Sequence, residues 1–128
     1  MHVLVTEAIF GESDTAVAEL RAMGHQVSTC HGDGGMCRAV SEGTGCPLDD
    51  SRPVDLVVDV RGFQPDLTAR EFGAVCAIRA GVPVALVSTV AHQRACFPAE
   101  LAHRAWSYSA DQLSEACDDV LHGARATF

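Results

Sequence analysis

Apolar runs rich in β-branched side chains alternate along this chain with segments of helical periodicity. The runs cover residues 2–7, 25–30, 54–60, 82–88 and 105–108. The clearest of them, VDLVVDV, follows Pro53 and stops before Arg61 and Gly62. Short continuous apolar runs of this kind are typical of strands that are buried on both faces of a parallel sheet. The pattern therefore predicts five parallel strands joined by right-handed helical crossovers.

The first helix is predicted to begin near Ser13, in the segment SDTAVAELRAMGH. Ala16, Leu20 and Met23 lie on one face of this helix, which we expect to be buried. Ser13 is suited to cap the first turn, and Gly24 is suited to the left-handed position that follows the last turn.

Two further helices are predicted from capping residues and apolar stripes. A Thr68–Glu71 pair with capping-box spacing starts the first of them, and Ser109 with Gln112 starts the second. The first of these helices runs to Gly81, and its predicted buried stripe contains Phe72, Val75, Cys76 and Ile78 or Arg79. The predicted buried stripe of the second helix contains Leu113, Ala116, Cys117, Val120 and Leu121. The helical cysteines are therefore expected to be small buried hydrophobes. Residues 98–105 are predicted to form an additional helix.

Polar residues end or follow four of the predicted strands. They are Glu7 in VLVTEA, Asp59 in VDLVVDV, Ser88 or Thr89 in VALVST, and Ser107 or Ser109 in AWSYSADQL. In length, in element order and in the position of these residues, nearly the whole chain resembles the receiver domains of two-component response regulators. The resemblance implies a doubly wound α/β fold of flavodoxin-like type, with a five-stranded parallel sheet in the order 2-1-3-4-5 and a single domain over residues 1–128.

The chain differs from the receiver family at the residues that take part in phosphoryl transfer in receivers. Receivers have an acidic pair after the first strand and a Lys ending the fifth, whereas this chain offers only Glu7 after its first strand and contains no Lys. Asp59 stands one residue short of the phosphoacceptor position, so its side chain is expected on the other face of the sheet, buried or facing a helix. If neither residue has a role in phosphorylation, the carboxylates of Glu7 and Asp59 are expected to be solvated or bonded to Arg61. We expect a degenerate receiver, which keeps the fold without aspartyl phosphorylation.

The composition restricts the class of protein. Of the 128 residues, 48% are hydrophobic and 20% are charged, which is typical of a soluble globular domain. No apolar run approaches the ~20 residues that span a bilayer, and the N-terminal segment lacks the basic region that begins a signal peptide. The net charge of −8, without a basic cluster, argues against nucleic-acid partners. We therefore expect a cytoplasmic protein that binds neither membrane nor nucleic acid, and the absence of Lys and Asn indicates a GC-rich bacterium.

Six cysteines are many for a cytoplasmic chain of this size, in which thiols bind metals or react more often than they form disulfides. Cys30, Cys37 and Cys46 form a C-x6-C-x8-C-P pattern in the Gly-rich segment 30–53, which replaces the second helix of a receiver. Cys96, in the loop after the fourth strand, is expected at the same carboxyl edge of the sheet. In the order 2-1-3-4 the ends of strands two and four lie about 14 Å apart, a gap that loops of this length can close.

Soft thiolates select zinc, copper(I) or iron–sulfur clusters. The Cys46–Pro47 step is similar to the Cys-Pro that ends ferredoxin-type cluster motifs, and the cysteine spacings exceed those of most structural zinc sites. We therefore expect the four cysteines to bind an iron–sulfur cluster, with 4Fe–4S favoured and zinc as the alternative. His31 is a candidate non-thiolate ligand.

Three functions remain open from the sequence, of which a phosphorylatable receiver with a rebuilt acidic site at Asp59 and Glu7 is the least favoured. The first is a non-catalytic regulatory or sensor module, which binds the cluster or metal and acts through a protein partner or a homodimer. The alternative is a small-molecule binding protein or thiol-dependent enzyme, which uses the carboxyl edge of the sheet with the Cys-rich loop as a lid.

Overall fold

A computed structural model describes residues 1–29, 46, 48, 53–101 and 104–122. Within them lie the strands β1 His2–Glu7, β2 Gln26–Thr29, β3 Leu56–Val60, β4 Val84–Val87 and β5 Trp106–Tyr108. All neighbouring strands pair in parallel, and their order is 2-1-3-4-5. The predicted five-stranded parallel sheet of flavodoxin-like type is therefore confirmed.

The first helix, α1, spans Asp14–Ala22 and packs Ala16 and Leu20 into the core. Gly24 follows it with a φ of +89°, which is the left-handed position that the sequence predicted for this glycine. The expectation that Met23 is buried is wrong, because Met23 is the C-cap residue at which the chain leaves the helical path, and its side chain is exposed. Ser13 is also not a helix cap of the predicted kind, since its hydroxyl donates instead to Glu7 Oε1 at 2.6 Å.

The second helix, α2, spans Phe72–Arg79, and a 3₁₀ turn over Ala69–Glu71 precedes it. At the predicted capping box, the backbone N–H of Thr68 donates to Glu71 Oε1 at 2.9 Å. The predicted buried stripe is right only for Val75 and Ile78, which are half-buried and pack against the core. It is wrong for Phe72 and Cys76, which are exposed, because the helix faces the sheet with Gly73, Ala74 and Ala77. These small residues let the helix backbone approach the sheet closely, which the hydrophobicity pattern alone did not indicate.

The third helix, α3, spans Leu113–Leu121 and follows a 3₁₀ turn over Ala110–Gln112. It buries Leu113, Ala116 and Cys117, as predicted, whereas Leu121 at its last position is exposed. Burial raises the pKa of the Cys117 thiol to about 11, which is consistent with a packing role. The additional helix predicted for residues 98–105 is reduced to a 3₁₀ turn over Ala99–Leu101 among the described residues.

The core consists of one apolar cluster on each face of the sheet. Helices α1 and α3 cover the face that contains Val58 and Val60 of β3, and α2 covers the face that contains Val57. No helix in the described part of the chain is long and apolar enough to cross a membrane. Since parallel strands end at the same edge, the loops that follow β1, β3, β4 and β5 meet at the carboxyl edge of the sheet.

Candidate functional site

Glu7, at the carboxyl end of β1, anchors the loop that leads into α1. Its carboxylate accepts hydrogen bonds from the backbone N–H groups of Gly11 and Ser13, both at 3.1 Å, and from the Ser13 hydroxyl. Arg70 adds an ion pair at 2.9 Å. Burial opposes the charge, but these hydrogen bonds prevail and lower the pKa of Glu7. Glu7 is thus neither solvated nor bonded to Arg61, and its oxygens are already engaged by the protein.

Asp59 is fully buried in β3, as its offset from the phosphoacceptor position predicted. It lies opposite Thr6 and Leu86 of the neighbouring strands. Leu86 belongs to the apolar cluster under α2, so Asp59 lies on the face of the sheet that α2 covers and not at the open carboxyl edge. The Thr6 hydroxyl donates to its Oδ1 at 2.9 Å.

Arg61, the second residue after Asp59, is also fully buried and uses all five of its N–H donors. Two of them bind the buried carboxylate of Glu71, at 2.8 and 3.2 Å. The other three donate to the backbone carbonyl oxygens of Gln64, Asp66 and Cys96 at 2.9–3.0 Å. We call Asp59, Arg61 and Glu71 the arginine hub. It connects β3 with the loops that follow β3 and β4.

The two carboxyl groups of the arginine hub titrate differently. Burial, followed by the hydrogen bond and negative charge of Glu71, raises the pKa of Asp59 well above its ordinary value. Its Oδ2 meets no hydrogen-bond partner among the described residues, and the nearby Glu71 carboxylate favours the protonated form of Asp59. Burial also opposes ionisation of Glu71, but hydrogen bonds from Asp59 and Arg61 lower its pKa. The hub therefore favours a charged Arg61, an ionised Glu71 and a protonated Asp59.

The serines at the ends of β4 and β5 are engaged in local structure. The Ser88 hydroxyl lies within hydrogen-bond distance of the backbone oxygens of Val90 and Gln93 and can donate to either, and Ser109 Oγ donates to Asp111 at 2.6 Å. The His92 backbone, at a φ of +64°, also donates to Asp111. The Ser109 hydroxyl and this N–H lower the pKa of Asp111 to about 2. The loop after β4 is thus held against the start of α3.

Two of the four predicted thiolate ligands lie within the described residues. Cys96 follows β4 at the carboxyl edge, with its carbonyl held by Arg61 and its side chain exposed, and Cys46 is half-buried. Cys30, Cys37 and His31 lie outside the described residues. No group of three or more His, Cys, Asp or Glu able to hold a metal was found in the described ranges, which contain only part of the predicted ligand set.

Sequence reasoning missed a cleft between α1 and α3 at the carboxyl ends of β3 and β4. It has a volume of about 400 Å³, which is within the range of small-molecule sites. We call it the α1–α3 cleft. Ala16 and Ala110 line it, and their small side chains leave the space open. An alanine on α1 and another in the turn before α3 give no signal in the sequence until the fold brings them together.

The arginine hub was also missed, although its parts are visible in the sequence. An Arg that directly follows a buried strand, together with a Glu in a capping box ten residues later, is the signal that could have revealed it. Comparison of the chain with protein-family models, curated proteins and solved structures found no match.

Asp59 is expected not to accept a phosphoryl group from acetyl phosphate in the presence of Mg²⁺. It is buried, Glu7 is fully engaged, and the chain has no Lys to neutralise charge on the transferring group. Intact-mass spectrometry should show no added phosphate. An increase in mass that disappears in Asp59→Asn would contradict this prediction.

Proposed function

We propose that this protein is a non-catalytic regulatory or sensor module. In this proposal, a degenerate receiver-like domain binds an iron–sulfur cluster or a metal through cysteines and acts through a protein partner or a homodimer. The observation that carries the proposal is the contact between buried Arg61 and the carbonyl oxygen of Cys96, which fixes the backbone at an exposed thiol on the carboxyl edge.

The arginine hub supports the first part of the proposal, the loss of receiver chemistry. In a receiver this edge must present free carboxylates to Mg²⁺ and to the phosphoryl group. Here Asp59 is buried with a raised pKa, and Glu7 already accepts hydrogen bonds from Gly11 and Ser13. The same polar positions therefore contribute to structure, and a different group must carry the signal.

The cysteine pattern supports the second part, a bound cluster or metal. Cys96 stands on a backbone held by a fully buried guanidinium, and preorganisation of this kind favours ligand binding because less entropy is lost. Cys30, Cys37 and Cys46 precede β3 in the sequence and are the proposed remaining thiolates, with His31 as a candidate additional ligand. A 4Fe–4S cluster is favoured over zinc because of the wide spacings and the Cys46–Pro47 step.

Exposed apolar side chains support the third part, a protein partner. Among the described residues, most of the large exposed hydrophobic side chains lie in segments that follow strands at the carboxyl edge. They are Ile9, Phe10, Phe63, Phe72, Val90 and Phe97. Exposed aromatic and aliphatic side chains at one end of a domain favour a role in protein contacts.

Anaerobic purification with iron and zinc supplied, followed by metal and sulfide determination, tests the proposed ligand site. We expect about one cluster or one metal ion per chain in the wild type. The Cys37→Ser, Cys46→Ser double variant is expected to lose it, and Cys76→Ser is the matched control because Cys76 is exposed on α2. A metal-free wild type, or a double variant that retains full occupancy, would overturn the proposal.

A second candidate function, small-molecule binding or thiol-dependent catalysis at the carboxyl edge, is favoured by one observation. The α1–α3 cleft opens at the ends of β3 and β4, and ligands of open α/β sheets bind beyond the carboxyl ends of the strands. Its volume suffices for a small organic molecule. Binding at this cleft does not require the cysteines, so the two functions are separable by mutation.

A further inference from the structure

The α1–α3 cleft has an apolar floor. Val60 and Val87, which are paired in register at the ends of β3 and β4, lie at its base. Ala16 of α1 and Leu113 of α3 form the adjoining walls. These side chains are already largely buried, so an aliphatic chain placed on the floor would gain mainly by removing its own apolar surface from water, at roughly 25 cal/mol per Å².

The polar groups that line the cleft are hydroxyls and carboxylates. Glu12, Thr15 and Glu19 line one side, and Ser88 and Thr89 lie at the strand ends. A second depression continues from Glu19 along α1 and α3 and adds the carboxylate of Asp111. No Arg lines either depression in the described part of the chain, and the protein has no Lys. The charge of the lining is therefore entirely negative.

The two glutamates of the cleft have no cationic partner of their own. Neither Glu12 nor Glu19 forms an ion pair with an Arg or His among the described residues. Burial, followed by the charges of Glu71 and Glu7, raises the pKa of Glu12, so a bound cation would relieve an existing repulsion. Glu12 lies in the turn before α1, where its Oε1 accepts a hydrogen bond from the backbone N–H of Ile9 at 3.0 Å, and Glu19 lies on α1 itself.

We infer that the α1–α3 cleft binds a small organic cation with an aliphatic body, of the diamine or polyamine class. This inference rests on the second candidate function, small-molecule binding at the carboxyl edge, and names its ligand. An ammonium group at each end matches the two separated carboxylates, and the methylene chain matches the floor of Val60 and Val87. A carboxylate or phosphate ligand would meet only negative charge, and a hydrated metal ion would gain nothing from the apolar floor.

Three eight-carbon probes with different end groups test this inference: diaminooctane, octanediol and suberate. Each is titrated into ¹⁵N-labelled protein, and amide shifts are followed for α1, α3 and the ends of β3 and β4. We expect saturable shifts with the diamine, and binding at least about fivefold weaker with the diol and the dianion.

Two double variants, which each remove two negative charges, separate specific binding from general attraction to an acidic protein. Glu12→Gln with Glu19→Gln removes the carboxylates of the cleft and should weaken diamine binding by about tenfold. Asp66→Asn with Glu100→Gln removes the same charge at exposed positions outside the cleft lining and should leave it unchanged. An equal loss in both double variants would overturn the inference.

The remaining outcomes test separately whether the ligand is an amine and whether the cleft binds a small molecule. Saturable shifts of the cleft residues with octanediol or suberate, but not with the diamine, would overturn the amine assignment and leave small-molecule binding intact. No shift of the cleft residues with any of the probes would overturn the amine assignment and count against the second candidate function. Mg²⁺ or a basic peptide that competes more strongly than the diamine would likewise contradict the assignment.

Discussion

Replacing Arg61 with methionine is expected to lower the free energy of unfolding by about 3–5 kcal/mol, because it breaks a buried ion pair on one side only. The substitution leaves the Glu71 carboxylate buried without its cation. It also removes the donors to the carbonyl oxygens of Gln64, Asp66 and Cys96. Urea unfolding near neutral pH measures the effect, which is large relative to the 5–15 kcal/mol that is typical of whole domains.

Arg79→Met is the matched control for this loss, because Arg79 is exposed near the end of α2, and a change within about 0.5 kcal/mol is expected there. Combining Arg61→Met with Glu71→Met removes both charges and should recover part of the stability. A single Arg61→Met variant that unfolds within 1 kcal/mol of the wild type, roughly the value of an exposed pair, would show that the hub is not structural.

Asp59→Asn is expected to remove a pH dependence of stability that the wild type shows above about pH 4. The pKa of Asp59 is raised in the folded protein, so the folded state holds a proton that the unfolded state has released. Stability therefore falls with rising pH from the unfolded pKa up to the folded one, by up to about 1.4 kcal/mol per pH unit. Asparagine has no such proton, and its amide oxygen can still accept from the Thr6 hydroxyl.

Urea unfolding of both proteins at several pH values measures this difference, with Asp66→Asn as an exposed control. The variant should be at least as stable as the wild type above neutral pH, and its advantage should grow as the pH rises. Glu71 affects stability in a different pH range. Its lowered pKa stabilises the folded protein, and this stabilisation is lost only as the pH falls below the ordinary pKa of a glutamate. Parallel pH profiles for wild type and Asp59→Asn would contradict a protonated Asp59.

The positions of the strands and of most helices were predictable from the sequence because each depends on a local pattern, whereas the strand order was implied by the resemblance to receiver domains. VDLVVDV predicts a buried strand, and Gly24 and the Thr68–Glu71 pair predict helix ends, from a few adjacent residues. The burial of Asp59 was also predictable, because a shift of one residue in a strand places the side chain on the other face.

The face that α2 buries was not predictable in the same way. Its apolar residues give two competing stripes, and close packing selected the one formed by Gly73, Ala74 and Ala77. Cys76 was assigned to the core because it is apolar, but it is exposed, since the helix buries Gly73, Ala74 and Ala77 instead.

The arginine hub depends on contacts between residues that are far apart in the chain. Arg61 and Cys96 are separated by 35 residues, and only the parallel sheet brings the loops after β3 and β4 together. The sequence contains both residues but no periodicity that links them. The same reason explains why the α1–α3 cleft, formed between the first and last helices, had no signal.

The proposed shared site is tested most directly by alkylation of the six cysteines. Mass spectrometry measures the alkylation of each cysteine before and after removal of the metal. In protein prepared without oxygen, Cys30, Cys37, Cys46 and Cys96 should be protected together while exposed Cys76 reacts at once. Chelation or acid treatment should release all four thiols together and leave buried Cys117 protected until the fold is lost. Alkylation of Cys96 at the rate of Cys76 in the untreated protein, or release of the four thiols one by one, would contradict a ligand shared at the carboxyl edge.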